Sequence, residues 1–124
     1  MSKSAFSLFV FSIYESALGA LLVVAPNLLL SMFGFPETHE VWVRIVGVLL
    51  LCLGFINLMA SRSELVVLVR WSVLTRLSVL VFFVAFVALG FALPVLLLFG
   101  AIDAAAAIWT AVCLRQNGLA KSPR

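Results

Sequence analysis

Residues 77–102 read LSVLVFFVAFVALGFALPVLLLFGAI. The run holds no charged side chain. It is longer than the roughly 20 helical residues that cross a hydrocarbon core of about 30 Å. Gly90 and Pro94 fall near its middle. Glycine ends helices readily, and proline suits a first turn, where its missing N–H needs no partner. The stretch therefore predicts two apolar helices joined by a tight hairpin.

Working outward, the third span is expected over about 64–89, with Ser63 as its cap and Glu64 favouring its first turn. The fourth is expected over about 94–115, stopped by Gln116-Asn117-Gly118, with Arg115 in the last turn. Upstream, a second span is expected over about 39–60, capped by Thr38 and anchored at the interface by Trp42. The first is expected over about 5–30, with Pro26 bending or ending it. Between them, Ser31-Met32-Phe33-Gly34-Phe35-Pro36 carries turn residues and large apolar side chains, and suits the membrane interface. The N-terminal apolar stretch exceeds a usual signal-peptide core and reads as a retained span. The predicted fold is all-α: a single-domain integral membrane four-helix bundle, up-down-up-down.

Composition agrees. In 124 residues, 65% are hydrophobic, with eight Lys and Arg against five Asp and Glu. So few charges would hardly cover a soluble globule, and lipid is the expected solvent. The net charge of +3 does not indicate nucleic acid, because the basic residues are scattered and form no stripe. Lys3, Arg62, Arg115, Lys121 and Arg124 fall on one side of a four-span plan. Arg44 alone accompanies Glu37, His39 and Glu40 on the other. That asymmetry predicts both termini cytoplasmic. Cys52 and Cys113 lie in apolar segments without CxxC spacing and read as buried free thiols. His39 is the only histidine, no local motif completes a metal site, and no cofactor is expected.

The residues that invite a functional reading are polar ones at depth. Glu15 lies roughly 15 Å into span one by helical rise, near the midplane. Ser12, Glu15, Ser16 and Gly19 share a small, polar face, with Tyr14 beside it. Asp103 lies at similar depth in span four, on a face with Ala106, Ala107 and Thr110. Arg76 is mid-depth in span three and cannot snorkel easily, so it is expected to meet Glu15, Asp103 or both. Arg44 reaches the same cluster or stays with the surface carboxylates. Asn57 is a further hydrogen-bonding group in span two. Gly47, Cys52 and Gly54 suggest close helix packing. Trp71 and Trp109 either line an apolar cavity or anchor the inner interface. The charged set either fixes helix register with no chemistry or forms a polar pocket for a headgroup or a proton.

The run Glu15-Ser16-Ala17-Leu18-Gly19, then Pro26, Phe33-Gly34 and Trp42-Val43-Arg44-Ile45-Val46-Gly47, with Arg76 and Asp103-Ala104 later, resembles small four-helix bacterial membrane proteins of the DoxX-like or BphX-like kind. The resemblance covers about residues 6–115. It implies an inner-membrane four-helix bundle, in a group partly associated with redox or aromatic-compound pathways, and carries no catalytic role.

Three functions compete. The leading one is a non-enzymatic accessory or scaffold subunit, or a binder of an apolar or lipid-like ligand between the helices. The second is an oligomeric proton-coupled transporter with Glu15 as coupling carboxylate. The third is an intramembrane isomerase using Glu15 and Asp103 as acid and base, which requires both in one cavity. Expected partners are membrane lipids, with a protein partner or a second copy of the chain open, and no nucleic acid.

Overall fold

A computed structural model of the chain describes residues 2–120, with side chains as far as Gln116. Five helices follow in order: α1 (Lys3–Val24), α2 (Pro26–Met32), α3 (Val41–Arg62), α4 (Val66–Ala88) and α5 (Leu96–Ala120). No strand occurs among the described residues. Four of the helices (α1, α3, α4 and α5 as far as Gln116) are long and apolar enough to cross a membrane. Lys121 and Arg124, counted on the basic side above, and the polar tail beyond Ala120 lie outside the described residues.

The first expected span is two helices. A proline pushes the preceding residue out of the helical region. Ala25 sits at φ −141°, ψ 67°, α1 stops at Val24, and Pro26 opens α2 in the first-turn position. Thus Pro26 terminates rather than bends. The segment after α2 is anchored: Phe33 meets Phe99 of α5 edge-on, with ring centroids 4.9 Å apart.

Three helix ends share one geometry. In each, a residue with positive φ follows the last turn, its N–H reaches two carbonyls back from the end, and the next N–H reaches one further. After α2 the residue is Gly34 (φ 78°), with Phe35 N–H bonded to Leu30 O at 2.9 Å. After α4 it is Gly90 (φ 79°), with Phe91 N–H bonded to Phe86 O at 2.8 Å. After α3 it is Glu64 (φ 50°), with Leu65 N–H bonded to Ala60 O at 3.0 Å. This last end corrects the expected start of span three. Ser63 closes α3 instead of capping the next helix, and Leu65 precedes α4.

Thr38 is not the cap of α3 either. Its backbone is clamped by Asn27, which donates to Thr38 O and accepts from Thr38 N–H, both at 2.9 Å. Glu40 takes the cap position without a side-chain bond. At the far end α5 runs through Gln116-Asn117-Gly118 to Ala120, so the expected stop is not one. Pro94 precedes the regular part of α5 in a tighter turn, with Leu97 N–H bonded to Pro94 O at 2.9 Å.

Packing is inverted relative to a water-soluble protein. The surface carries Trp42, Phe55, Val81 and Phe91, each at least 60% exposed. The buried set includes Ser7, Ser12, Glu15, Ser61, Ser72, Arg76 and Thr110 beside a small core of Leu8, Phe11, Ala60 and Val69. A bilayer accepts the first set, and interhelical hydrogen bonds suit the second. Cys113 is buried, but Cys52 is exposed, contrary to expectation. A residue in an apolar helix can equally face lipid, which periodicity alone does not exclude.

Helix α1 is the centre. It packs most extensively on α3, then on α5, while α4 packs on α5. Helices α3 and α4 touch little although only three residues join them. The α1–α3 contact runs through glycines. A Cβ on Gly47 would stand 2.8 Å from Gly19 O, and one on Gly19 would stand 2.8 Å from Gly47 O. One step along, Gly54 lies against Ser16. The α1–α5 contact is tied by Ser7 Oγ and Thr110 Oγ1, 2.7 Å apart, and by Phe6 edge-on to Trp109 at 6.4 Å.

Candidate functional site

The weak α3–α4 contact leaves a cavity of about 420 Å³, open on one side. Helix α1 forms its floor. Leu22, Val46, Leu50, Phe83 and Phe99 are among its apolar walls, and Phe35 closes it from the segment after α2. Three residues with polar side chains are among its lining: Tyr14 and Glu15 from α1 and Asp103 from α5. They lie at mid-helix depth because α1 and α5 are each entered about a dozen or fewer residues earlier, at roughly 1.5 Å per residue.

Glu15 is buried and held from the side. Asn57 of α3 donates through Nδ2 to its Oε1 at 2.8 Å. Asn57 was expected as a hydrogen-bonding group of the intramembrane charge network, and the structure makes it the partner of the Glu15 carboxylate. It is the one amide in the otherwise apolar 45–60 stretch of α3, which is the signal that singles it out.

Arg76 does not pair as expected. No ion pair joins it to Glu15 or Asp103 among the described residues. Its guanidinium folds back on its own helix, with Nε donating to Ser72 O and Nη2 to Ser72 Oγ, both at 3.1 Å. It lies over the Phe11 ring, 4.7 Å from the centroid. Phe11 therefore stands between the cation and the cavity, a cation–π contact replacing a salt bridge. The charge still acts on both carboxyl groups through space. Arg76 Nη1 and Tyr14 Oη are buried without a hydrogen-bond partner among the described residues. Buried polar atoms are usually paired.

The remaining expected site residues are not at the cavity. Ser12 bonds Phe9 O of its own helix at 2.6 Å. Ser16 packs on Gly54. Thr110 belongs to the Ser7 contact. Arg44 reaches neither the cluster nor the surface carboxylates. It is exposed and donates to Val23 O, a carbonyl left over where α1 ends. Glu37 meets His39 instead, at 3.4 Å on the exposed side. The three tryptophans are exposed and do not line the cavity. Among the described residues, no three His, Cys, Asp or Glu side chains gather as metal ligands.

Sequence reasoning missed the aromatic lining. Phe11, Tyr14, Phe35, Phe83 and Phe99 all face the cavity. Phe11 and Tyr14 were legible in part, since they lie three apart and share a face with Ser4 and Ser7. The others come from three separate segments, and no local pattern unites them.

No family model, curated protein or solved structure matches the chain.

Proposed function

We propose that the chain is a non-enzymatic integral membrane protein that holds an apolar or lipid-like molecule in the cavity between α3 and α4. The observation that carries this reading is the cavity itself: apolar walls with Tyr14, Glu15 and Asp103 among the lining residues, midway along the long apolar helices. Ligand sites generally have this make-up and occur between the helices of bundles. The plan is up-down-up-down in a bacterial inner membrane, with both termini cytoplasmic. Two contacts support it. Ser2 N–H donates to Glu64 Oε1 at 2.8 Å, bringing the start of α1 to the α3–α4 turn. Ser7 meets Thr110, bringing the last turns of α5 to the same end. Lys3, Arg62 and Arg115 then share that end.

Native mass spectrometry of protein extracted gently from its own membranes tests the binding role. The expected result is a stoichiometric small-molecule adduct that Val46→Trp, filling the cavity from the half-exposed face of α3, abolishes. A bare chain, or only exchangeable lipid unaffected by Val46→Trp, overturns it.

One observation favours a second reading. Glu15 and Asp103 line one cavity, as an intramembrane acid–base pair acting on a membrane-dissolved substrate requires. An isomerase would convert a component of the membrane extract to a product of equal mass and altered retention. The conversion would be lost in Glu15→Gln and in Asp103→Asn. An unchanged extract refutes it.

A further inference from the structure

The charges and rings around the cavity specify a ligand class more narrowly. Two acidic residues, Glu15 and Asp103, are among those lining it, and the nearby guanidinium bonds Ser72 through Nε and Nη2. Arg76 gives Nε and Nη2 to Ser72 and lies over the Phe11 ring, which leaves Nη1 without a hydrogen-bond partner among the described residues. Glu15 keeps one oxygen for Asn57, which leaves the other without that donor. The groups facing Glu15 from the packed helices are Tyr14 on α1, Asn57 on α3, Arg76 on α4 and Asp103 on α5. With both carboxyl groups ionised, this set carries one net negative charge. Around it stand the rings of Tyr14, Phe35, Phe83 and Phe99. Aromatic faces and carboxylates both attract organic cations, and both attractions strengthen where water is excluded. An anionic headgroup would meet Glu15 and Asp103 in the lining, and Arg76 is not among the lining residues.

We propose that the cavity binds an amphiphilic organic monocation, of the tertiary-amine, quaternary-ammonium or phosphonium type. Its charge lies between Glu15 and Asp103, and its apolar body lies along the aromatic wall. The proposal rests on the binding role above and names its ligand. The cavity of about 420 Å³ suits a molecule of drug size, and its open side gives a bulkier body room to extend toward lipid.

Three probes of similar aromatic bulk and different charge form the test: tetraphenylphosphonium, neutral triphenylphosphine oxide and the anion tetraphenylborate. Each is measured by equilibrium binding to the purified full chain in mild detergent. The expected result is saturable binding of the cation alone, at one per cavity. Glu15→Gln and Asp103→Asn should each weaken it at least about tenfold, the effect of roughly 1.4 kcal/mol. Phe99→Leu should weaken it by several-fold, the scale of a lost cation–π contact. Charge selectivity is read on the wild-type chain, so the test survives a variant that fails to fold. Equal binding of the neutral probe, blocked by Val46→Trp, overturns the cation assignment and leaves the apolar-ligand role standing. Saturable binding of none of the three overturns the cation assignment, and native mass spectrometry without an adduct would then remove the binding role separately.

Discussion

Substituting Gly47 by alanine should loosen the largest helix contact in the molecule. A Cβ at that position would stand 2.8 Å from Gly19 O, 2.9 Å from Leu22 Cβ and 2.9 Å from Val23 Cγ2. Ordinary contact begins at 3.4 Å, so the shortfall against the backbone oxygen is 3.4 − 2.8, about 0.6 Å. Val23 can rotate, but a backbone oxygen and a Cβ cannot. Helices α1 and α3 must therefore separate or slide. Inserting one methyl group into a packed contact of this kind costs about 1–3 kcal/mol. The reciprocal position gives an internal check. Gly19→Ala faces Gly47 O at 2.8 Å and Leu51 N at 2.9 Å. Once one alanine has parted the helices, the second should cost much less. The double variant should then fall short of the sum by more than about 0.5 kcal/mol, beyond the scatter of independent sites. Reversible unfolding in mixed dodecyl maltoside and SDS micelles, followed by circular dichroism, measures all three. Ala17→Leu, on an exposed part of α1, is the control. If Gly47→Ala unfolds within about 0.5 kcal/mol of wild type, or if the two alanines simply add, the close crossing is not what holds α1 on α3.

Other expectations follow from single contacts. Ser7→Ala and Thr110→Val should show a coupling of about 0.6 kcal/mol in a double-mutant cycle, typical of interhelical hydrogen bonds in membranes. Zero coupling would mean that the two hydroxyls do not bond. Asn57→Leu should destabilise by about 1–3 kcal/mol, because Glu15 loses its donor while remaining buried, and Glu15→Leu in that background should recover part of the loss. No recovery would disprove the partnership. Gly90→Val should cost about 1–2 kcal/mol from its φ of 79°, although nothing stands within 4 Å of the position to clash. Equal stability would place that backbone in another conformation. Arg76→Leu should be tolerated better than Phe11→Ala if the guanidinium is held by its own helix and a ring rather than by an ion pair across the bundle. Comparing the two melting temperatures decides it.

The spans were legible because lipid leaves a composition signal that survives without any contact information. Residues 77–102 lack charge, and Gly90 breaks them as expected. Gly47 and Gly54 were legible as close-approach positions for the same reason, since small residues in a membrane helix have few other uses. Glu15 and Arg76 were legible as buried groups, because charge at such depth is costly, whereas Asp103 is only part-buried. Their pairing was not. Arg76 has a local solution, a serine one turn earlier and a ring on the neighbouring helix, and spacing cannot tell that solution from a salt bridge. Helix starts were misplaced where a competing use took the capping residue. Thr38 is occupied by Asn27, and Ser63 closes the preceding helix. The cavity could not be read at all, since it depends on which sequential neighbours fail to pack.

That failure has a physical source in how small residues are distributed. Helix α3 has four buried positions, namely Gly47, Gly54, Ala60 and Ser61. Gly47 meets Gly19 of α1, and Gly54 meets Ser16 of α1. Its small face is thus committed to α1, and what it offers α4 includes Val46 and Leu53, both about half exposed. Helix α4 approaches α5 where Gly100 admits Leu80 and Phe83. The seam between α3 and α4 has no comparable small pair and stays open, walled by branched and aromatic side chains. Acidic side chains beside an apolar seam are costly unless something pairs with them, and among the described residues Glu15 and Asp103 face no cation within ion-pair distance. Had Arg76 crossed to Asp103, the cavity would be closed in charge and a structural role would suffice. Ser72 and Phe11 hold the guanidinium instead, neither Glu15 nor Asp103 has an ion-pair partner among the described residues, and the proposed ligand role rests on that arrangement.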